Sequence, residues 1–298
     1  MTPLRIGTRG SRLALWQAQH VAALLRPHPV ELVEIQTVGD QVRDRPLAQI
    51  GGDGLFTKEI QKALLAGAVD LAVHSLKDLP TLPVEGLVLA AVPRRGPTGD
   101  VLVSHRHRRF DDLPPGAVVA TSSLRRRAQV LHRRPDLRLV DIRGNVETRL
   151  RKLAEQDLDA VILAQAGLER LGLGDAITEV LDPAWILPAV GQGALGLECR
   201  ADDRATLALV EPLNDPPTRQ AVLAERALLR ALGGGCLVPI GAAGTVAGNL
   251  LHLRGAVLSP DGTRRVGGEV SGSADDAEAL GRRLAQQLLK KGAGELLR

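Results

Sequence analysis

The sequence predicts two α/β domains followed by a small C-terminal α+β domain with an antiparallel sheet. Strand and helix patterns alternate through the N-terminal two thirds, which implies mostly parallel sheets with helices on their faces. That alternation restarts after the segment PRRGPTGD (93–100), and beyond residue 217 three strands follow one another with no helix between them. A length of 298 residues suits two or three domains, since single cores stop growing near this size.

Taken in order, Leu4–Gly7 reads as a strand, and Ser11 can cap a helix whose apolar face is Leu15, Ala18, Ala22 and Leu25. Val30–Thr37 is a second strand, followed by a Gly- and Asp-rich loop, Gly39–Gly54. A helix over Leu55–Leu65 leads to the strand Asp70–Val73, and Gly86–Pro93 is another strand. After the crossing, strands are expected at Val101–Ser104, Ala117–Thr121, Leu137–Ile142 and Ala160–Ala164, with helices at Leu124–Leu131 and Val146–Leu153. Pro183–Pro188 marks a return crossing, so that Leu195–Cys199 can rejoin the first sheet. Glu211–Pro217 is a linker to a helix, Thr218–Leu232, and the run Gly233–Gly235 before Cys236. The strands Ile240–Val246, Leu250–Leu258 and Arg265–Ser271 precede a closing helix, about Ala274–Lys291, with Leu280, Leu284 and Leu288 four apart. The expected domains are 1–95 with 189–212, then 96–188, then 213–298.

Composition removes several function classes. Apolar residues make up 44% and charged residues 24%, a globular balance. No apolar stretch reaches the roughly 18–20 residues that span a bilayer, and the first residues lack a signal-peptide pattern, so no membrane partner and a cytoplasmic location are expected. Two cysteines, Cys199 and Cys236, suit a reducing compartment, and no zinc spacing or HExxH motif calls for a metal. Trp16, Trp185, Phe56 and Phe110 are the only aromatics, too few for base-stacking platforms, and a net charge of +4 is no general polyanion surface. No nucleic-acid partner is expected. Six lysines against 32 arginines favour forked capture of carboxylate or phosphate wherever arginines cluster.

They cluster at strand-to-helix turns, where α/β sheets bind ligands and helix N-termini point free N–H groups outward. One turn carries Thr8, Arg9, Gly10 and Ser11; a second carries Thr121, Ser122, Ser123, Arg125 and Arg126; a third carries Arg143, Asn145 and Arg149. Ser and Asn there can be plain caps. Arginine, however, opposes the helix dipole, and a bound anion would resolve the conflict. A multiply anionic ligand between the two α/β domains is therefore expected. The turn His74-Ser75-Leu76-Lys77-Asp78-Leu79-Pro80 adds one carboxylate to this cationic setting, either a turn residue beside proline or a group that moves protons and stabilises positive charge. Cys199, inside a strand, reads as a small buried hydrophobe. Cys236, after three glycines, reads equally as such a residue or as an accessible, covalently modified thiol. No P-loop, GxGxxG or GxSxG lies in the right context.

Together these motifs resemble the hydroxymethylbilane synthase, or porphobilinogen deaminase, family. The matching segments are IGTRGSRLALWQA (6–18), GGDGLFTKE (51–59), AVHSLKDLP (72–80), TSSLRRRAQ (121–129), IRGNVETRL (142–150), ILAQAGLERLGL (162–173), LPAVGQGALGLECR (187–200) and GGGCLVPIG (233–241). The resemblance implies a transferase of tetrapyrrole biosynthesis whose two α/β domains are of the type II periplasmic-binding kind. It implies a dipyrromethane cofactor joined by a thioether to Cys236. Four porphobilinogen molecules are added head to tail, each losing ammonia to give an electrophilic azafulvene, and hydrolysis releases the linear tetrapyrrole. Asp78 matches the catalytic aspartate. Ser75, Lys77, Asp78, Thr121, Ser123, Arg125 and Arg126 match cofactor-binding positions, and Arg9, Ser11, Gln17, Arg143, Arg149 and Arg170 match substrate-binding ones. A monomer is expected. Asp53 stands where many members have lysine, and Val38 where many have arginine; Asp53 is expected to face solvent or pair with Arg43 or Arg45. The alternative from another class is a non-catalytic, two-lobed anion-binding protein, which leaves the Gly-Gly-Gly-Cys segment unexplained.

Overall fold

The structure, a computed structural model, describes residues 2–41, 54–235 and 238–297. The chain opens with β1 (Leu4–Thr8), α1 (Arg12–Leu24), β2 (Val30–Glu34), α2 (Lys58–Leu65), β3 (Leu71–Ser75) and β4 (Leu87–Ala91). It crosses to β5 (Asp100–Val103), β6 (Val118–Ala120), α3 (Leu124–Arg133), β7 (Arg138–Val140), α4 (Val146–Glu155), β8 (Ala160–Ala164), α5 (Gln165–Arg170) and β9 (Glu179–Val180). It returns through β10 (Leu195–Arg200) and α6 (Arg204–Val210) to α7 (Pro216–Ala231), β11 (Ile240–Ala247), β12 (Leu250–Leu258), β13 (Arg265–Ser273) and α8 (Ala277–Lys290).

Two five-stranded sheets and one three-stranded sheet result. The first has the order β2-β1-β3-β10-β4, with β1 parallel to β2 and β3, and β10 antiparallel to both its neighbours. The second has the order β7-β6-β8-β5-β9, with β6 parallel to β7 and β8, and β5 antiparallel to β8 and β9. Each lobe thus receives its reversed strand from a chain arriving out of the other lobe. The third sheet, β11-β12-β13, is an antiparallel meander.

Local chemistry places the helices as the sequence indicates. The Ser11, Ser123 and Asn145 side chains each accept a bond from the backbone N–H three residues on, closing the first turns of α1, α3 and α4. Asp215 does the same for α7, which has proline at its start. The differences from expectation have local causes. The helix predicted from Leu55 begins at Lys58, and the strand predicted to Thr37 ends at Glu34. β9 is two residues long, too short for alternation to show. α5 starts straight from β8 with Ala164 at its N-cap and no capping side chain, so no start signal exists. The sequence reading leaves α6 unassigned, although Asp203 caps it by accepting from Thr206 N at 3.0 Å.

In the third domain α7 and α8 pack on the meander around Leu228, Leu251, Leu253, Leu284 and Leu288. Gly281 lets the helices touch: a Cβ there would collide with the Ala224 carbonyl. Glu225 of α7 is wholly buried, yet fully satisfied. It takes a forked pair from Arg95 at 2.7 and 3.0 Å, the Gly191 N–H at 2.7 Å and the Gly244 N–H at 2.9 Å. Arg95 lies on the outward crossing and Gly191 on the return, so one carboxylate ties the third domain to both. Removing one partner of a buried pair leaves an uncompensated charge, at about 3–5 kcal/mol. Glu225→Gln is expected to lower unfolding free energy by about that amount in urea titration. A loss below about 1 kcal/mol would show that the tie is not structural.

Candidate active site

A cavity of about 370 Å³ is lined by residues of both lobes and of the third domain, within the usual range for small-molecule sites. The first lobe contributes Gly54–Phe56 and Leu76–Leu82, and the second contributes Ser122, Ser123, Arg125, Arg126 and Arg149. Gln192 comes from the return crossing, and Arg226, Arg230, Gly233–Gly235, Val238 and Ile240 come from the third domain. A smaller cavity of about 70 Å³ is lined by Arg9, Ser11, Gln17, Thr57, His74 and Ser75, together with Phe56 and Asp78, which the two cavities share. Among the described residues Asp78 is the only carboxylate lining either cavity.

Asp78 owes its position to the end of β3. The strand stops at Ser75 and tightens into a single 3₁₀ turn, Leu76–Asp78, anchored by buried Leu76, whose N–H donates to Ala194 O at 3.0 Å. Gly191 allows this approach, since a Cβ there would stand 3.2 Å from the Leu76 carbonyl carbon and from Lys77 N, and its φ is +71°. From the third domain Arg226 donates to Leu79 O at 2.9 Å and Pro80 O at 2.7 Å, fixing the segment just past Asp78. Lys77 is half-buried beside it. Burial lowers its pKa to about 8, with the Asp78 carboxylate opposing and Arg126 reinforcing the shift. At neutral pH the ammonium remains mostly charged.

The arginines of α3 have an internal counterion that the sequence reading does not contain. Asp100, at the head of β5, is buried and accepts from Arg125 at 2.6 Å and from Arg126 at 2.8 and 2.9 Å. Gln192 adds a donor at 2.9 Å. Burial alone would raise the Asp100 pKa, but the two guanidinium groups hold it far below the usual carboxylate range. Part of the conflict between arginine and helix dipole is therefore resolved from within. The compensation is incomplete, because Arg125, Arg126, Lys77 and Arg149 share Asp100 and Asp78, and the buried Arg125 Nε–H has no acceptor. Arg149 donates to Gly144 O at 2.9 Å; burial, then Arg126 and Arg143, lower its pKa to about 10, with Asp78 opposing.

The remaining expected residues divide. Gln17 and Ser75 hydrogen-bond side chain to side chain at 2.8 Å, and the Arg9 guanidinium lies 4.2 Å from the centre of the Phe56 ring. Ser11 caps α1. Thr121 is buried and lines neither cavity; its hydroxyl accepts from Ser123 N at 3.3 Å. Arg143 also lines neither, though Ser122, bonded to Ile142 O at 2.7 Å, joins its loop to the 121–123 turn. Arg170 stands behind the site, donating to Gly193 O at 2.6 Å and lying over Trp16. Cys236, Asp53, Arg43 and Arg45 fall outside the described residues; Gly235 and Val238 line the larger cavity. Cys199 is buried, and burial pushes its thiol up to about 11. Sequence reasoning passes over Asp100, Gln192, Arg226 and Arg230. Arg226 and Arg230 did carry a signal, being four apart on the helix that runs into the glycine loop.

Among the described residues no helix is long and apolar enough to cross a membrane, and no three His, Cys, Asp or Glu side chains are placed to hold a metal. Residues 4–208 match the family model described as "Porphobilinogen deaminase, dipyromethane cofactor binding domain", and residues 219–290 match "Porphobilinogen deaminase, C-terminal domain". The porphobilinogen deaminase of Pelobacter propionicus is 54% identical over 99% of this chain and 96% of its own. That of Pelotomaculum thermopropionicum is 52% identical over the same shares. Among solved structures, a putative methionine-binding lipoprotein from Bacillus subtilis gives a TM-score of 0.44 at 13% identity, over 71% of this chain and 89% of that one. With both family models matched along nearly its whole length, this chain belongs to the porphobilinogen deaminase family.

Proposed function

We propose that the two cavities together carry out stepwise, head-to-tail condensation of four porphobilinogen molecules with loss of ammonia, Asp78 acting at their junction. The observation that carries this reading is Asp78, among the described residues the one carboxylate lining either cavity and shared by both, where the other charged lining residues are lysine and arginine. The residues fit a covalently held dipyrromethane bearing four carboxylates: the floor keeps excess positive charge, and Arg125 Nε–H is buried without an acceptor. When bound, that group supplies the free pyrrole α-carbon to which the incoming unit is joined. Cys236 would hold it through a thioether, at the end of the glycine run.

Lys77, Ser123, Arg125 and Arg126 would pair with its acid groups. Thr121 would orient Ser123, and Ser75 would orient Gln17. Arg9, Ser11 and Gln17 would take the acetate and propionate of porphobilinogen in the smaller cavity. Arg143 and Arg149 would meet the growing chain from the second lobe, and Arg170 would act through the Gly193 carbonyl. Asp78 would accept a pyrrole N–H, stabilise the positive charge that develops as ammonia departs, and take up the proton lost after the new bond forms.

Asp78→Asn keeps the shape and removes the charge, so kcat is expected to fall at least about 10²–10³-fold, equivalent to roughly 3–4 kcal/mol of transition-state stabilisation. Steady-state kinetics within a few-fold of the parent would refute the assignment. Intact mass and peptide mapping should place two linked pyrrole units on Cys236, and none on Cys199, whose thiol is buried. Lys77 gives a pH signature. In the cofactor-free chain, carboxylate binding should weaken as pH rises through about 8, where the folded-state ammonium discharges. Because the folded pKa lies below the ordinary 10.5, the unfolded chain binds more protons as pH passes 8, and stability should rise with pH from about 8 to 9, above which the raised Cys199 thiol works in the opposite direction. Lys77→Met should abolish the rise in thermal unfolding; a parent profile that is flat from pH 8 to 9 would contradict the lowered ammonium pKa.

A further inference from the structure

The arginines of the larger cavity are mostly pinned. Asp100 holds Arg125 and Arg126 at 2.6 and 2.8 Å, Gly144 O holds Arg149 at 2.9 Å, and the Leu79 and Pro80 carbonyls hold Arg226. Arg230 is different. It follows Arg226 by one turn of α7, its side chain is 40% exposed, and its ion pair with Glu278 of α8 is loose, at 3.6 Å. Glu278 has a second partner four residues on, Arg282, at 3.4 Å. An exposed pair of this length contributes little, and Glu278 stays compensated if Arg230 departs. The space beside Arg230 is open as well: among the described residues, a Cβ added to Gly233 would meet nothing within 4 Å.

Each porphobilinogen brings an acetate and a propionate, whereas the pinned cations are fixed in number. We propose that Arg230 is a swinging carboxylate-binding residue for the later pyrroles of the growing chain, leaving Glu278 to Arg282 as it turns into the cavity. This rests on the reading that the cavity holds that chain. A long, flexible arginine on a helix end can follow a ligand that lengthens, which the buried forks on Asp100 cannot do.

The test is native mass spectrometry of the holoenzyme with limiting porphobilinogen, beside steady-state kinetics. Arg230→Gln is expected to load dipyrromethane and accept the first unit as the parent does. Complexes carrying two or three added units should then accumulate about three- to tenfold, with an excess over the parent that shrinks as salt rises. Arg230→Lys should restore most of the parent pattern, and Glu278→Gln should reduce late stalling. An unchanged distribution in Arg230→Gln would overturn the proposal. So would a loss of cofactor loading, which would place Arg230 with the cofactor, or late stalling in Glu278→Gln equal to that of Arg230→Gln, which would make the pair structural. A parent spectrum without the dipyrromethane increment would instead refute the reading of the cavity, and Arg230's role with it.

Discussion

Asp100 is the charge on which the arrangement of the lobes depends. It stands at the first residue of β5, where the outward crossing ends, and gathers Arg125 and Arg126 from α3 and Gln192 from the return crossing. Gln192 in turn accepts from Arg95 Nε at 2.7 Å, and Arg95 forks onto Glu225 of the third domain. A continuous polar path therefore runs from the second lobe, across both crossings, to the third domain. Buried charges of this kind are tolerated only when every partner is present. Two arginines without Asp100 would be stranded in an apolar setting, and the depressed pKa of Asp100 keeps it ionised until strongly acidic pH.

The architecture was largely legible because it rests on local signals. Caps at Ser11, Ser123 and Asn145, strand-sized apolar runs and the three C-terminal strands with no helix between them all correspond to observed elements. The site was legible in part. Arg125, Arg126, Arg149, Lys77 and Asp78 were named from their turns, and the structure brings them to one cavity. Asp100 was not, since an aspartate after Thr-Gly reads as a loop residue and only the tertiary fold buries it. Arg226 and Gln192 act through backbone carbonyls or across long sequence separations, which no spacing rule records. Arg170 and Thr121 sit behind the cavity rather than in it, a distinction of side-chain direction invisible in a motif.

The near absence of aromatics also takes on meaning. Phe56 is the aromatic residue of both cavities, and the Arg9 guanidinium covers its face. In the proposed reading, recognition of a flat pyrrole would fall to charge and hydrogen bonding around its acid side chains rather than to stacking on the ring.

The reversed strands have a consequence for how the chain can be made. β4 pairs with β10 and with no other strand of the first sheet, and β10 sits between β3 and β4. Until residue 200 has left the ribosome, β4 has no sheet to join and β3 keeps a bare edge. The second sheet is built entirely from residues 100–180, so it can close while the first still waits. The lobe translated first is then the lobe completed later, and a nascent chain halted between the two crossings would expose the edge that carries the Asp78 turn.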